Sequence, residues 1–194
     1  MTDAAKSNER APATRRILGA ARAIVARGGA AEVSIGGVAL QAGVSKALVH
    51  YHFRDKDSLL FAVVEEVGFA TLARARESMA RETAAHALDA YWSWLEHELR
   101  GGDLRILISL AEYDSERVRS ASRRIADQRR ELAAEHTALV FSRLGLTPRV
   151  PADLIADTVM AFADGLATVC ALNPDRDPRP AFDVLWLALL GLAE

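Results

Sequence analysis

The chain has 194 residues, of which 51% are hydrophobic and 26% are charged, and its formal net charge is −2. It contains no run of about 18 uninterrupted apolar residues and no apolar signal-peptide core at its N-terminus, so we expect no membrane span and a cytoplasmic location. Cys170 is the only cysteine, which excludes an internal disulfide and a cysteine-based zinc cluster.

Positive charge is concentrated toward the N-terminal end of the chain. Residues 1–56 contain nine Lys or Arg and four Asp or Glu, whereas residues 57–194 contain 15 and 22. A basic head on an acidic body fits a protein that meets an anionic partner with its N-terminal end alone, although local variation in composition can produce the same asymmetry.

Capping residues and apolar periodicity predict three short helices and a longer fourth helix at the N-terminal end. Residues 1–13 are polar or small, and we expect them to form a flexible arm. Four residues suited to N-capping then precede runs with helical periodicity, namely Thr14, Ser34, Ser45 and Asp55. Residues 14–54 are therefore predicted to form one small helical domain.

The remaining part of the chain, residues 55–194, has the pattern of a second helical domain. Apolar residues recur at helical spacing along five segments beyond the fourth helix, which are 84–99, 104–111, 118–139, 151–172 and 182–193. No segment shows the alternation of a half-buried strand. The sequence therefore predicts an all-α fold of about nine helices.

Ala39, Gly43 and Val49 have the residue types and the spacing of a helix-turn-helix. The first helix needs a small side chain where the two helices cross, and Ala39 supplies it. The turn needs a residue that tolerates a left-handed backbone, and Gly43 does so without steric cost. Val49 then inserts the second helix into the core. This pattern indicates binding to double-stranded DNA.

The exposed face of this second helix is predicted to meet the DNA. Lys46 can donate to guanine O6 and N7 or to a phosphate, Leu48 can pack on a thymine methyl group, and His50 can donate to a base acceptor. His52 is better explained as a structural or backbone-contacting residue. The other predicted DNA-contacting residues are Ala47 on the same face and, for phosphate oxygens, Ser34, Ser45, Tyr51 and Lys56.

Three short stretches carry a resemblance to a known family: Gly43-Val44-Ser45-Lys46, Tyr51-His52-Phe53, and Lys56 followed by Leu59–Leu60. With them, residues 14–67 resemble the N-terminal domain of the TetR family of bacterial transcriptional regulators. The resemblance implies a homodimer that binds a palindromic operator, and a small molecule that binds in the body and releases the DNA. Gly36–Gly37, Leu48 and His50 depart from the family pattern, so the operator is not transferable from a relative.

The resemblance also implies an effector pocket in the C-terminal domain. Such a pocket has mostly apolar walls and a few polar groups that orient the ligand. Each aromatic side chain of this domain can equally well be core packing, and Cys170 can be a small buried hydrophobe. The candidate ligand-binding residues are Tyr91, Trp92, Trp94, His97, Tyr113, Gln128, His136, Phe162 and Cys170.

We find no sequence motif for catalysis, a metal or a cofactor. His86, His97 and His136 lie far apart, and His50 and His52 fall on different sides of a helix. Neither a Gly-rich phosphate loop nor a nucleophile elbow is present. An enzyme is therefore not expected, and an enzyme or interaction module that merely retains the head is the least favoured alternative.

The sequence thus predicts a ligand-responsive transcriptional regulator, most simply a repressor. The segments 151–172 and 180–193 offer more apolar surface than one small domain needs, and they are predicted to form the homodimer interface. Two alternatives remain open. One is a regulator of the same family that needs a co-repressor or activates transcription, and the other is a constitutive DNA-binding protein without an effector.

Overall fold

The computed structural model describes the backbone of residues 3–80 and 86–194 and the side chains of residues 12–80 and 86–194. Within these ranges the chain forms nine α-helices and one short 3-10 helix, Ala30–Glu32, which confirms the predicted all-α fold. The α-helices are α1 (Asp3–Gly28), α2 (Ile35–Ala42), α3 (Lys46–His52), α4 (Lys56–Ala80), α5 (Ala87–Gly101), α6 (Asp103–Ala111), α7 (Glu116–Leu144), α8 (Ala152–Leu172) and α9 (Arg179–Leu190).

The chain divides into two compact units. The first consists of Met1–Val67 and Ile106–Arg123, and the second of Gly68–Arg105 and Arg124–Glu194. The first unit contains the helices of the predicted DNA-binding domain, and the corner between α6 and α7 belongs to it as well. Three helices, α4, α6 and α7, contribute residues to both units.

The turn between α2 and α3 has the geometry that the sequence predicts. Gly43 adopts φ 63° and ψ 40°, a left-handed conformation, and ends α2. The backbone N–H of Val44 donates to the carbonyl of Ala39 at 3.0 Å, which completes a Schellman-type cap. Ala39 and Val49 are both buried. The helix-turn-helix prediction from these positions is therefore confirmed.

The first helix begins earlier than the sequence suggested. Its backbone is helical from Asp3, with Pro12 inside, so Thr14 lies within α1 and does not cap it. The Thr14 hydroxyl instead lies 3.2 Å from Nδ1 of His52 in α3. Residues 1 and 2 of the predicted arm and Ala84 of the predicted apolar stripe lie outside the described residues.

Aromatic side chains form the core of the second unit where α5 meets α9. The ring of Phe182 stacks against Tyr91 at a centroid distance of 6.1 Å and lies 5.1 Å from the ring of Trp92. Trp186 meets Tyr91 edge-on at 5.8 Å. Such offset and edge contacts add to the energy of apolar burial, and they fix α9 on α5.

Helix α8 has the length and hydropathy of a membrane span, and it is the one such helix in the described ranges. Its aspartates, however, are paired with arginines of α7. Asp164 accepts from Arg129 at 2.6 Å, and Asp157 accepts from Arg130 at 2.5 Å. These ion pairs belong to a helix that packs within the second unit, and they agree with the expectation of no membrane span.

We expect Gly43→Ala and Gly19→Ala to change stability in opposite directions. A Cβ atom at either position meets open space, so backbone conformation alone decides. Alanine at the left-handed position 43 should lower the free energy of unfolding by about 1–2 kcal/mol. Alanine within α1 at position 19 should raise it by roughly 0.5–1 kcal/mol. Urea denaturation measures both, and a Gly43→Ala protein as stable as the wild type would contradict the turn geometry.

Candidate nucleic-acid interface and ligand cavity

Helix α3 presents a polar face to solvent and an apolar face to the core. Lys46, Ala47 and His50 are exposed, and Tyr51 exposes 60% of its surface. Leu48 is half-buried. The structure therefore brings together on one accessible face most of the residues predicted to meet DNA. Their contacts with bases and phosphates stay predictions.

The two serines of the motif are helix caps. Ser34 accepts the backbone N–H of Gly37 at 3.1 Å, and Ser45 accepts that of Leu48 at 3.1 Å. Accepting these bonds leaves each hydroxyl proton available as a donor. Both serines are exposed, so the same side chains can start α2 and α3 and donate to a phosphate.

The glycine at position 36 makes room for the side chain of Lys46. A Cβ atom at Gly36 would lie 3.0 Å from Cε and 3.3 Å from Nζ of Lys46. The aliphatic stem of the lysine thus crosses the first turn of α2. In the sequence Gly36 is a departure from the family pattern, and the structure gives it a steric role.

His52 and Lys56 are both engaged within the first unit. The His52 ring lies between Thr14 and Tyr51, with Tyr51 edge-on at 5.3 Å, which fits the expected structural role. The Lys56 ammonium donates to the carbonyl of Ala31 at 3.2 Å and lies 5.1 Å from the ring centre of Tyr113. A phosphate contact by Lys56 must use a remaining N–H.

Tyr113 belongs to the first unit, whereas the other candidate ligand residues belong to the second. Its hydroxyl lies 3.2 Å from Oδ1 of Asp57 at the start of α4. Partial burial and this bond to Asp57 raise the pKa of Tyr113. The structure therefore places Tyr113 beside the first turn of α4 in the DNA-binding unit.

A narrow inner cavity lies among α4, α5, α7 and α8 in the second unit. Its volume is about 20 Å³, which is room for about one water molecule. Of the predicted ligand residues, the structure brings Tyr91, Trp94 and His136 to its wall. The other lining residues are Thr71, Leu72, Ala75, Arg129, Leu132, Ala133, Met160 and Ala163.

The inner cavity is apolar with a few buried polar groups. Burial and, to a smaller extent, the positive charge of Arg76 together lower the pKa of His136 to about 4, so the imidazole is neutral at pH 7. Burial raises the pKa of Tyr91 above its usual value, so its phenol stays protonated. Arg129, which sequence reasoning missed, brings one buried positive charge that Asp164 balances.

An outer groove lies on the solvent side of α4 and α5 in the same unit. Its volume is about 280 Å³, and its walls are Arg74, Glu77, Ser78, Ser93, Trp94 and His97. The predicted ligand residue His97 is therefore found here and not at the inner cavity. Trp94 alone among the lining residues belongs to both spaces.

An ionic cluster adjoins both spaces, since Arg74 lines the outer groove and Thr71 lines the inner cavity. Its other members are Glu98 and Asp103. Glu98 is fully buried and accepts Nε of Arg74 at 2.6 Å and the Thr71 hydroxyl at 2.9 Å. Arg74 also donates to Asp103 at 2.7 Å. The bonds to Glu98 raise the pKa of Arg74. This cluster ties α4, α5 and α6 together and was not apparent from the sequence.

The remaining predicted ligand residues occupy other places in the second unit. Trp92 is buried against Phe182 and Arg179. Gln128, Phe162 and Cys170 are partly buried and are not among the lining residues of either space. Burial raises the pKa of the Cys170 thiol, so it stays protonated, as a small hydrophobe would.

Comparison with known proteins agrees with this architecture. Residues 17–63 match the model of bacterial regulatory proteins of the tetR family. The chain is 29% identical over 170 residues to the HTH-type transcriptional regulator BetI of Brucella anthropi, covering 83% of this chain and 82% of that protein. Residues 17–63, which match the family model, include the whole α2–turn–α3 motif. These residues are therefore a DNA-binding domain of the TetR type.

Solved structures share the fold of this chain at low sequence identity. A transcriptional regulator from Rhodococcus sp. Rha1 superposes with a TM-score of 0.76 at 24% identity, over 93% of this chain and 97% of that one. FadR from Bacillus subtilis, solved in complex with stearoyl-CoA, gives a TM-score of 0.71 at 16% identity, over 91% and 97%. The structural likeness therefore covers most of the chain and not only the DNA-binding motif.

We expect the protein to lose stability in mild acid through His136. The native state keeps His136 neutral down to a pKa of about 4, whereas the unfolded chain protonates near pH 6.5, so acid favours the unfolded chain. The titration of His136 leaves the free energy of unfolding unchanged above about pH 6.5 and lowers it by about 2–3 kcal/mol as the pH falls to 4.

Chemical denaturation at pH 7, 5.5 and 4 tests this dependence. His136→Gln should flatten the pH dependence of the unfolding free energy between pH 6.5 and 4. His97→Gln, which changes an exposed histidine of the same unit, should leave it unchanged. Equal slopes for wild type and His136→Gln would show that His136 is not held neutral.

Proposed function

We propose that this protein is a ligand-responsive transcriptional repressor of the TetR family. In this proposal it acts in the cytoplasm, binds a palindromic operator as a homodimer, and leaves the DNA when a small molecule binds its second unit. The observation that carries the proposal is the exposed polar face of α3, held by the Ser45 cap and the Gly43 turn at the end of a basic segment.

The α3 face suits the major groove by its size and its chemistry. Its N-terminal residues include the cation of Lys46, and the helix start is flanked by the hydroxyls of Ser34 and Ser45. An α-helix fits the major groove of B-DNA, and its N-terminal residues reach the base edges. Lys46 and His50 would read bases, while the serines and Tyr51 would contact phosphates and set the register.

A homodimer is supported by apolar side chains that α8, α9 and their flanks expose. These residues lie on or just after two consecutive helices, and a second copy of the same helices would cover them by two-fold symmetry. A two-fold dimer would also explain how two α3 helices address two half-sites. The exposed residues are Leu154 and Leu172 on α8, and Val184, Leu187 and Leu192 on or after α9.

The inner cavity supports regulation by a small molecule. It has room for about one water molecule in this structure, so a larger ligand must bind a different arrangement of its walls. If that arrangement binds the operator poorly, a ligand that prefers it lowers the affinity for DNA. DNA then lowers the affinity for the ligand by the same factor. Helices α4 and α7 contribute residues to both units and would carry the change.

Operator binding can be tested with the purified chain and the DNA upstream of its own coding region. We expect binding, followed by fluorescence anisotropy across a salt series, to exceed that of a scrambled fragment and to weaken steeply with salt. Lys46→Ala should weaken it and reduce the salt slope by about one.

The control for Lys46→Ala removes a positive charge from the second unit. Arg100→Ala changes an exposed residue paired with Glu96 on α5, and it should leave the affinity unchanged. No discrimination between the upstream and scrambled fragments would remove self-regulation from the proposal. Equal losses in both variants would show that net charge, and not the α3 face, determines binding.

The dimer can be tested by placing a charge on the exposed face of α9. Leu187 exposes 71% of its surface, so Leu187→Glu should fold but should not tolerate burial against a second copy. We expect it to sediment as a monomer and to bind the operator more weakly. Phe69→Glu, at an exposed apolar residue of α4, should stay dimeric; a dimeric Leu187→Glu protein would place the interface elsewhere.

A further inference from the structure

One side chain separates the two spaces of the second unit. Trp94 on α5 lines both the narrow inner cavity of about 20 Å³ and the wider outer groove of about 280 Å³. Ligand pockets for small molecules measure roughly 300–1,000 Å³. The inner cavity alone is far too small for such a ligand, whereas the two spaces joined by a movement of Trp94 approach this size.

The closed position of Trp94 carries an unfavourable feature. Its indole N–H is buried and has no hydrogen-bond acceptor among the residues that the structure describes. A buried donor without an acceptor costs free energy that it recovers in water. Turning the indole toward the groove would hydrate its N–H and open the inner cavity at the same time.

A second unused donor lies at the inner wall. Arg129 is buried and donates to Asp164 through Nη2, but its Nε–H has no acceptor within the described part of the chain. The surrounding wall is apolar, with Leu72, Leu132 and Met160. An apolar chamber with one unused, charge-assisted donor fits a ligand with an apolar body and an oxygen acceptor.

We propose that Trp94 is the gate of the inner cavity, and that the ligand admitted through it is a small apolar molecule bearing a carboxylate or carbonyl oxygen that accepts the Nε–H of Arg129. This inference rests on the proposed ligand-responsive function and adds the entrance, the orienting residue and the chemical class of the ligand.

The charges around the cavity disfavour a cationic ligand. The neighbouring carboxylates are already neutralised, Glu98 by Arg74 and Asp164 by Arg129. His136 is neutral at pH 7, because burial lowers its pKa to about 4. An ammonium group would therefore meet the guanidinium of Arg129 without a free carboxylate to pair with.

Three fluorinated probes with the same ring and chain test this proposal: 3-(4-fluorophenyl)propanoate, its amide, and 3-(4-fluorophenyl)propylamine. Fluorine NMR line shapes give the dissociation constant and the association rate with the full-length protein. We expect the acid and the amide to bind the wild type at least about tenfold more tightly than the amine. Arg129→Lys keeps the charge that disfavours the amine but loses the Nε–H, and should weaken binding of the acid and the amide.

Rates test the gate separately from affinity. Trp94→Ala should raise the association rate of the acid about tenfold by removing the barrier to entry. Trp94→Phe keeps a ring but removes the buried N–H, so it should stabilise the closed position and slow association. Trp92→Phe is the matched control on the same helix, packed against Phe182, and should leave both the rate and the affinity unchanged.

Several results would overturn the proposal. These are an amine that binds as tightly as the acid, an association rate that is equal in wild type and Trp94→Ala, or no binding of any probe to either protein at millimolar concentration. Operator binding is measured apart from the probes. Probes that bind as expected without changing operator affinity would support this site and contradict ligand-controlled release.

Discussion

The buried carboxylate of Glu98 is the constraint on which the second unit depends. A charge without exposed surface is tolerated only when it is paired and hydrogen-bonded, and Arg74 and Thr71 together satisfy both of its oxygens. Because Arg74 also binds Asp103, the guanidinium group of this one residue fixes how closely α4, α5 and α6 approach each other. Thr71 is at the same time part of the cavity wall, so the ionic cluster and the inner cavity share the same turn of α4.

The first unit depends on backbone geometry more than on charge. The left-handed Gly43 and the bond from Val44 to Ala39 fix the angle at which α3 leaves α2. The caps by Ser34 and Ser45 satisfy backbone donors that would otherwise lack partners at the helix starts. This arrangement exposes the outer face of α3, and a DNA groove can receive this face.

A narrow cavity with unused donors is a natural regulatory element, because ligand binding and rearrangement of the walls cannot be separated. Part of the free energy of binding is used to open the cavity. Any conformation of the protein that the opened cavity favours therefore becomes more populated. Within the part of the chain that the structure describes, the indole N–H of Trp94 and the Nε–H of Arg129 have no acceptor, which raises the free energy of the present state and lowers the cost of leaving it. The same side chains would then determine both which ligand enters and how strongly it shifts the protein.

The sequence by itself determined the helical fold, the helix-turn-helix and the exposed face of α3, because these follow from local spacing, capping residues and a glycine with one required conformation. It also indicated Tyr91, Trp94 and His136, but it could not distinguish them from Trp92, Phe162 or Gln128, since aromatic and polar residues on a helix look alike whether they face a cavity or a neighbouring helix. Only the tertiary structure decided that Arg129 and Thr71 line the cavity, that Tyr113 lies beside α4, and that Trp94 separates two spaces. Those positions depend on contacts between residues tens of positions apart, which no local pattern encodes.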